Sequence, residues 1–229
     1  MSRAMRDAVT ATGLTFEELD EKRATRLGCV SAQLRLQLAG RLSRKELLCK
    51  AAARSGKLKK LKLLRAGDCP WDAGTCTYAA RGGHLEMLQW LRANGCPRNE
   101  WTCLHAAGGG HLDMLQWARA NGCPWNANTC SWAAKGGHLE VLQWACANGC
   151  PWDRWSCMYA AWGGHIEVLQ WLRANCCPWD RRTCKYAAEG GHLEVLQWAH
   201  ANGCPWDRGT RKNASEHVLE WTVANGVPE

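Results

Sequence analysis

A tripeptide that returns every 27 residues is the feature that most constrains this chain. Cys-Pro-Trp begins at Cys69, Cys123, Cys150, Cys177 and Cys204. Cys96 occupies the remaining place, and a Gly-His pair recurs with the same step. Self-similarity at a fixed period predicts stacked structural repeats, in which each unit contacts only its neighbours.

The register divides most of the chain into seven units. Five full units span 69–95, 96–122, 123–149, 150–176 and 177–203. A degenerate unit at 42–68 precedes them and a shortened unit at 204–229 follows them, as expected where a stack ends in solvent. The sequence thus predicts a repeat solenoid over 42–229 and an N-terminal helical cap region over 1–41, to which we assign no role.

Each unit is predicted to form two short helices. Its consensus is C-P-W-D-x-x-T-C-x-Y-A-A-x-G-G-H-L-E-V-L-Q-W-L-R-A-N-G. Gly-Gly ends the first helix, apolar residues at spacings of three and four give the second helix one apolar face, and Asn-Gly stops it. A hydroxyl residue at the seventh position is predicted to cap the first helix. These residues are Thr75, Thr102, Thr129, Ser156 and Thr183.

The recurring tryptophan of the second helix is predicted to form the core. Neither period-two alternation nor enrichment in β-branched residues occurs, so the predicted fold class is all-α. Stacked units would align these indoles into a buried ladder, in which each side chain contributes about 1.5–3 kcal/mol. The ladder consists of Trp90, Trp117, Trp144, Trp171, Trp198 and Trp221.

Two segments resemble the ankyrin repeat family. Residues 102–107, T-C-L-H-A-A, are similar to the family's T-P-L-H-x-A-A opening, and residues 191–196, G-H-L-E-V-L, are similar to its G-H-L-E-I-V second helix. The resemblance covers about 42–229. It implies an ankyrin-like solenoid of stacked antiparallel helix pairs, whose concave surface of loops and first helices recognises other proteins.

The unit is shorter than the one this family uses. It has 27 residues, whereas an ankyrin repeat has about 33. Most of the missing residues fall between the closing Gly and the start of the next first helix, where the family carries a projecting β-hairpin. We therefore expect short turns in place of the hairpin fingers, and a shallower binding surface.

Four positions of the unit vary while the framework hardly changes: the fifth, sixth, ninth and thirteenth. The ninth and thirteenth are four residues apart on the first helix and should share a face. Aromatic residues, Met and Arg, which are enriched in interface hot spots, occupy several of these positions. We predict a partner-binding face made of Trp101, Leu104, Arg154, Trp155, Met158, Trp162, Arg181, Arg182 and Lys185.

A competing interpretation places Trp155 and Trp162 over the junction between repeats, or treats the variation as drift on a solvated face. Replacing both residues with Ala distinguishes the interpretations. An interface role predicts loss of partner binding with nearly unchanged thermal stability, whereas a core role predicts a large loss of stability.

Cysteine is as frequent as tryptophan, with 15 of each. Equivalent cysteines of stacked units lie about 8–10 Å apart, beyond the Cα separation of about 7 Å that a disulfide allows. A bridge between a first-position and an eighth-position cysteine stays open, but buried reduced thiols are the simpler interpretation. Intervals of C-x6-C and C-x7-H lack the paired spacing of a zinc site. We predict no metal and no cofactor.

Two local features carry their own expectations. The histidine of Gly-His is predicted to bond backbone groups across a turn. Cys176 stands where the other full units have Gly, so we predict a positive φ there.

Positive charge is concentrated near the N-terminus. Residues 1–67 carry 16 Lys and Arg against 6 Asp and Glu, whereas residues 68–229 carry 13 against 15. This excludes a uniformly basic nucleic-acid binder for most of the chain. Segment 41–65 is either an N-terminal cap with a charged outer face, or an import signal or patch for an acidic partner.

The sequence carries no catalytic constellation: no HExxH, nucleophile elbow or phosphate loop occurs, so we expect no enzyme. The first hypothesis is a monomeric protein–protein interaction scaffold or adaptor for an unidentified protein. The second is nucleic-acid or anionic-surface binding through Lys57, Lys59, Lys60 and Lys62. No run of 18 apolar residues predicts a membrane span, and residues 1–23 lack a signal-peptide core. We expect an intracellular protein, cytoplasmic or nuclear.

Overall fold

The computed structural model describes residues 44–97, 99–212 and 214–227, and within these ranges the chain forms helices and turns without a strand. The helices are α1 (Arg44–Arg54), α2 (Leu58–Ala66), α3 (Ala73–Arg81), α4 (Leu85–Ala93), α5 (Glu100–Gly108), α6 (Leu112–Ala120), α7 (Ala127–Lys135), α8 (Leu139–Ala147), α9 (Arg154–Gly163), α10 (Ile166–Ala174), α11 (Arg181–Glu189), α12 (Leu193–Ala201), α13 (Arg208–Lys212) and α14 (Glu216–Ala224). Odd numbers are the first helices of the repeats and even numbers the second.

The described residues fall into two compact units. The first comprises the described chain up to Thr102 together with Ala120–Cys123, and the second comprises Cys103–Arg119 together with the chain from Pro124 onward. In the first unit, α3 packs on α1, and in the second, α7, α9, α11 and α13 pack in chain order. The predicted all-α fold of stacked helix pairs is confirmed. The predicted helical cap region, 1–41, lies outside the described residues.

The first helix of a repeat begins at an Asp or Asn three residues before the predicted cap. Asp72 Oδ1 accepts a hydrogen bond from the backbone N–H of Thr75 at 3.2 Å. Asp153 and Asp180 accept from the N–H two residues further on, at 3.0 and 2.9 Å. The predicted hydroxyl caps are therefore wrong. Asp and Asn are at least as good at this position, and here they reach the free amides one turn earlier.

Left-handed turns separate the helices. Gly83 and Gly164, at the second position of Gly-Gly, have φ of 73° and 77°. Cys176 has φ of 60°, so the predicted positive φ is confirmed. The residue before it also closes the second helix, since Asn175 Nδ2 donates to the carbonyl of Trp171 at 2.8 Å. The turn at Cys176 joins two repeats, which is the place where a short turn was predicted instead of a β-hairpin finger.

Small and aliphatic side chains fill the space between the helices. In the repeat 150–176, for example, Ala160 and Ala161 of α9 and Leu169 and Leu172 of α10 have no exposed surface. Alanines on the first helix allow the neighbouring helices to approach closely, and leucines on the second helix fill what remains. The core therefore consists of aliphatic layers.

The predicted tryptophan ladder lies at the edge of this core. Its members, Trp90, Trp117, Trp144, Trp171, Trp198 and Trp221, are all half-buried. The prediction of full burial is wrong because the aliphatic side chains already occupy the interior. Ladder residues pack edge-to-face on the Trp of Cys-Pro-Trp in the same repeat. The ring centroids are 5.6 Å apart for Trp90 and Trp71, and 6.0 Å apart for Trp198 and Trp179.

An arginine of the preceding repeat covers the outer ring of these pairs. Arg65 lies 4.4 Å from the centroid of Trp71, and Arg173 lies 4.2 Å from that of Trp179. Arg173 also donates to the carbonyl of Cys177 at 2.5 Å. In the repeat 123–149 this position is Cys146, so no such arginine precedes Trp152.

Histidine side chains link several repeats to the one before. His165 Nε2 lies 3.0 Å from the carbonyl oxygen of Lys135, and His192 Nε2 lies 3.0 Å from that of Trp162. The predicted bond to backbone is confirmed, although its acceptor lies 30 residues earlier instead of in the adjacent turn. A Cβ on Gly137 would come within 2.5 Å of the His165 ring, so this glycine also makes room for the next repeat's histidine.

Thiols form a second set of links. None of the 14 described cysteines forms a disulfide. Cys177 Sγ donates to the carbonyl of Asp153 at 3.3 Å, and Cys204 Sγ donates to that of Asp180 at 3.5 Å. A hydrogen bond to Cys177 and burial together raise the pKa of Cys157, which keeps this thiol protonated. Most cysteines are thus buried as predicted, and some also act as hydrogen-bond donors between repeats.

Candidate functional site

Three tryptophans on first helices are the most informative exposed side chains. Trp155 and Trp162 of α9 are 38% and 37% exposed, and Trp101 of α5 is 47% exposed. Only three other large apolar side chains of the described residues are similarly exposed. Trp101 belongs to the first compact unit, whereas Trp155 and Trp162 belong to the second.

The two indoles of α9 contact the following repeat and still reach solvent. The Trp162 ring lies 5.9 Å from Tyr186 of α11 and 6.0 Å from Tyr159 of its own helix. The guanidinium of Arg182 lies 5.0 Å from the centroid of Trp155. Both rings therefore cover part of a repeat junction, as the competing interpretation held, but each leaves more than a third of its surface exposed.

Leu104 and Met158 do not belong to an exposed face. Each is only 3% exposed, so their inclusion in the predicted binding face is wrong. The ninth position points toward the next repeat: Ser131, its equivalent on α7, places Oγ 3.3 Å from Ser156 Oγ of α9. Positions nine and thirteen are neighbours on the first helix. The first helix of the next repeat covers the ninth position, whereas Trp162 at the thirteenth position stays partly exposed.

Aromatic side chains at the tenth position form part of the surface that the sequence analysis missed. His105 and Trp132 are 5.2 Å apart, and Tyr159 and Tyr186 flank Trp162. An aromatic ring or His occupies the tenth position of every full unit, which was the available signal. A ring recurs there while the neighbouring positions vary more widely, so the prediction of the binding face did not include this position.

Cations lie over these rings. Lys135 Nζ is 4.2 Å from the centroid of Trp162, 5.3 Å from that of Trp132 and 5.8 Å from that of Tyr159. Lys185 Nζ is 5.7 Å from the centroid of Tyr186. We call the set Lys135, Trp155, Trp162, Arg182 and Lys185 the aromatic–cation surface.

The two remaining predicted cations are engaged with carboxylates. Arg154 Nη1 lies 3.5 Å from Asp180 Oδ2, and Arg181 Nε lies 3.1 Å from Asp207 Oδ2. Asp180 also caps α11 through the N–H of Arg182. Arg154 and Arg181 border the aromatic–cation surface and connect first helices of successive repeats.

The basic segment is described from Arg44 onward, where it forms α1 and α2 with a turn at 55–57 between them. Leu61 of α2 is fully buried, which agrees with the repeat register. Lys57 and Lys59 are exposed, while Lys62 lies 5.8 Å from the centroid of Trp90. Burial, together with the charge of Lys57, lowers the pKa of Lys60. Positive charge is therefore crowded along this helix.

The described ranges hold no group of three or more His, Cys, Asp or Glu residues that could bind a metal ion. Within the same ranges, every helix is too short or too polar to cross a lipid bilayer.

Comparisons with known proteins agree with this architecture. A family model described as "Ankyrin repeats (many copies)" matches residues 76–119 and 130–173. The crystal structure of the human ASB11 ankyrin repeat domain is similar, with a TM-score of 0.56 and 17% sequence identity, over 79% of this chain and 98% of that chain. No curated protein matches the sequence.

The similarity to ASB11 concerns the fold, while the family match rests on the sequence of the repeats themselves. Ankyrin repeats generally mediate protein–protein interaction, and the family is typically non-enzymatic. The helix pairs, glycine turns and Gly-His motifs described above account for the match in physical terms. The family match to residues 76–119 and 130–173 and the similar fold together support an ankyrin repeat protein, here with a shortened unit of 27 residues.

Proposed function

We propose that this protein is a non-catalytic scaffold or adaptor that binds a partner protein through the aromatic–cation surface. The observation that carries this proposal is the exposure of Trp155 and Trp162 in a repeat whose Leu, Val and first-helix Ala side chains are buried. Indoles and arginine guanidiniums at one surface are the residue types that contribute most to protein interfaces. Arg154 and Arg181 would form part of its polar rim.

Trp101 extends the proposal to a second, independent patch. It is the most exposed aromatic side chain of the described residues, and it occupies the same repeat position as Trp155. We treat its contribution separately, with a Trp101→Ala variant.

The double variant Trp155→Ala/Trp162→Ala tests the proposal. We expect capture of partner proteins from native extract to be lost, because truncating central interface indoles costs about 2 kcal/mol or more each. The free energy of unfolding should fall by about 1 kcal/mol per ring, the magnitude of an aromatic contact. Affinity capture with mass spectrometry and urea unfolding measure the two quantities.

Leu219→Ala is the matched control, since Leu219 is 38% exposed and lies on a second helix of the last repeat. It should leave partner capture unchanged. Equal capture by the wild type and the tryptophan double variant would contradict the proposal. A collapse of stability in the double variant would instead assign both indoles to the core.

A second candidate is anionic-surface or nucleic-acid binding through α2, favoured by the exposed Lys57 and Lys59 at its start, which are followed closely by Lys60 and Lys62. Phosphate binding by lysines weakens steeply as salt rises. If this function holds, a single-stranded oligonucleotide should bind at low salt, and a Lys57→Glu/Lys59→Glu variant should not bind it. Binding that is unaffected by this variant would remove the second candidate.

A further inference from the structure

We propose that the aromatic–cation surface receives an acidic segment of the partner protein. Carboxylates of that segment would pair with Lys135, Arg182 and Lys185, and its apolar side chains would cover the exposed parts of Trp155 and Trp162. This inference rests on the proposed function and specifies the chemistry of the partner.

Charge is segregated between the two kinds of helix in this part of the chain. The first helices α7, α9 and α11 carry five basic residues and one acidic residue, which are Lys135, Arg154, Arg181, Arg182, Lys185 and Glu189. The second helices α8, α10 and α12 carry Glu140, Glu167 and Glu194 against one arginine, Arg173. An acidic partner is therefore attracted to the first-helix side and repelled by the other.

Three of the five cations are still open to a carboxylate. Arg154 and Arg181 already pair with Asp180 and Asp207. Among the described residues, no carboxylate forms an ion pair with Lys135, Arg182 or Lys185. These three cations are therefore the ones that a partner can neutralise.

The rings hold the open cations in place without using their hydrogen-bond donors. Lys135 contacts three aromatic rings and Arg182 contacts one, at the distances given above. A cation that lies on a ring face keeps N–H groups directed away from the ring. Because these side chains are already ordered, pairing with a carboxylate costs little additional conformational entropy.

The same contacts disfavour single-stranded nucleic acid as the occupant. Base stacking requires an open face of an aromatic ring. One face of Trp162 is covered by Lys135, and one face of Trp155 is covered by Arg182. The rings therefore offer edges and partial faces, which suit aliphatic and aromatic side chains of a peptide.

Selection from a random 12-residue peptide library on the immobilised full chain tests the inference. Peptides that also bind Trp155→Ala/Trp162→Ala are removed by counter-selection. We expect Asp and Glu to be enriched about twofold or more among the selected peptides, because like charges are rejected at a basic surface. Selected peptides without this enrichment, or no selected peptides at all, would overturn the inference.

Binding of the selected peptides is then measured by fluorescence anisotropy. The variant Lys135→Gln/Arg182→Gln/Lys185→Gln should bind them about tenfold or more weakly, since each truncation leaves a partner carboxylate unpaired. The control Lys57→Gln/Lys59→Gln/Lys212→Gln removes the same charge elsewhere and should change binding by less than about twofold. Arg182→Gln/Lys185→Gln keeps the test interpretable if loss of Lys135 disturbs the rings. Equal binding by wild type and all variants would refute the assignment of the cations.

The outcomes separate this inference from the proposed function. Neutral or basic peptides that depend on Trp155 and Trp162 would overturn the acidic partner and leave the protein-binding role standing. An oligodeoxythymidine that binds the surface more tightly than any selected peptide would overturn both. Partner capture from extract that survives the tryptophan double variant would overturn the proposed function directly.

Discussion

The buried hydroxyl groups at the seventh position of the repeat differ in whether they have a hydrogen-bond partner. The seventh position carries a buried Thr or Ser one turn into the first helix. Oγ1 of Thr75, Thr102, Thr129 and Thr183 has no hydrogen-bond partner among the described residues. Ser156 occupies the same position and contacts Ser131 Oγ at 3.3 Å. Equivalent residues therefore differ in whether their polar atom is satisfied.

Thr129→Val should stabilise the protein by about 1 kcal/mol, because it removes a buried polar group that lacks a partner. Urea unfolding of the variant measures this change. Ser156→Ala is the matched control and should destabilise the protein, since it removes a paired hydroxyl at the same position. A loss of stability in Thr129→Val similar to that in Ser156→Ala would contradict the expectation.

Cys176→Gly should also stabilise the protein. Cys176 has φ of 60°, a conformation that costs a residue with a Cβ about 1–2 kcal/mol. Glycine removes this strain but makes the unfolded chain more flexible, which cancels about 0.4–1 kcal/mol of the gain. Thermal unfolding should show a net increase, and Cys176→Ala, which keeps the strain, should show none. A decrease for the glycine variant would indicate that the exposed thiol makes a stabilising contact.

At the scale of the element, each helix pair is fastened to the preceding one by side chains that repeat with it. Arg173 covers Trp179 and bonds the Cys177 carbonyl, while His192 bonds the Trp162 carbonyl. Cys146 interrupts the arginine series, and its Sγ lies 3.8 Å from that of Cys130 instead. The junction before Trp152 thus lacks one fastening that other junctions have.

Cys146→Arg should restore this fastening. The new guanidinium would lie over Trp152 and reach the Cys150 carbonyl, as Arg173 does one repeat later. We expect a gain of about 0.5–1.5 kcal/mol in the free energy of unfolding. Cys146→Leu adds bulk without charge and serves as the control. If both variants gain equally, burial of apolar surface and not the cation is the cause.

The sequence predicts helix ends better than it predicts which side of a helix is covered. Gly83 and Cys176 were identified because positive φ restricts the residue type. Leu104 and Met158 were assigned to the wrong face, since the ninth and thirteenth positions differ by a small rotation and only the neighbouring helix decides between them. The Asp and Thr positions both suit a helix cap, and the prediction chose Thr75 and its equivalents, one turn inside the end that Asp72 caps. The edge-to-face pairing of indoles could not be predicted, because Trp71 and Trp90 are 19 positions apart in the sequence and only the fold brings them together.

At the scale of the whole molecule, the thiols report whether the repeats remain packed. Of the 14 described cysteines, 12 are buried, Cys146 is half-buried and Cys176 is exposed. Hydrogen bonding to Cys204 and burial raise the pKa of Cys184, so formation of the reactive thiolate is suppressed at this buried cysteine.

In a Cys29→Ser variant, which leaves only described cysteines, two thiols should react rapidly with a chromogenic disulfide reagent under native conditions. The remaining 12 should react only when denaturant opens the repeats. Absorbance against time measures both phases. Adding Cys176→Ser should remove one rapid equivalent, and more than two rapid thiols in the first variant would contradict the burial seen in the structure.

The histidine of one repeat fits against a glycine of the repeat before it, and this contact limits which insertions and deletions in the gene keep the repeats packed. Gly137 leaves room for the His165 ring and Gly164 for the His192 ring, so these successive junctions share one glycine–histidine contact. Unequal recombination that adds or removes 81 nucleotides, or a multiple of 81, would therefore create a junction with this contact, whereas a shift by any amount that is not a multiple of 81 would leave a histidine without its glycine. We therefore expect such proteins to gain or lose length in evolution by whole repeats.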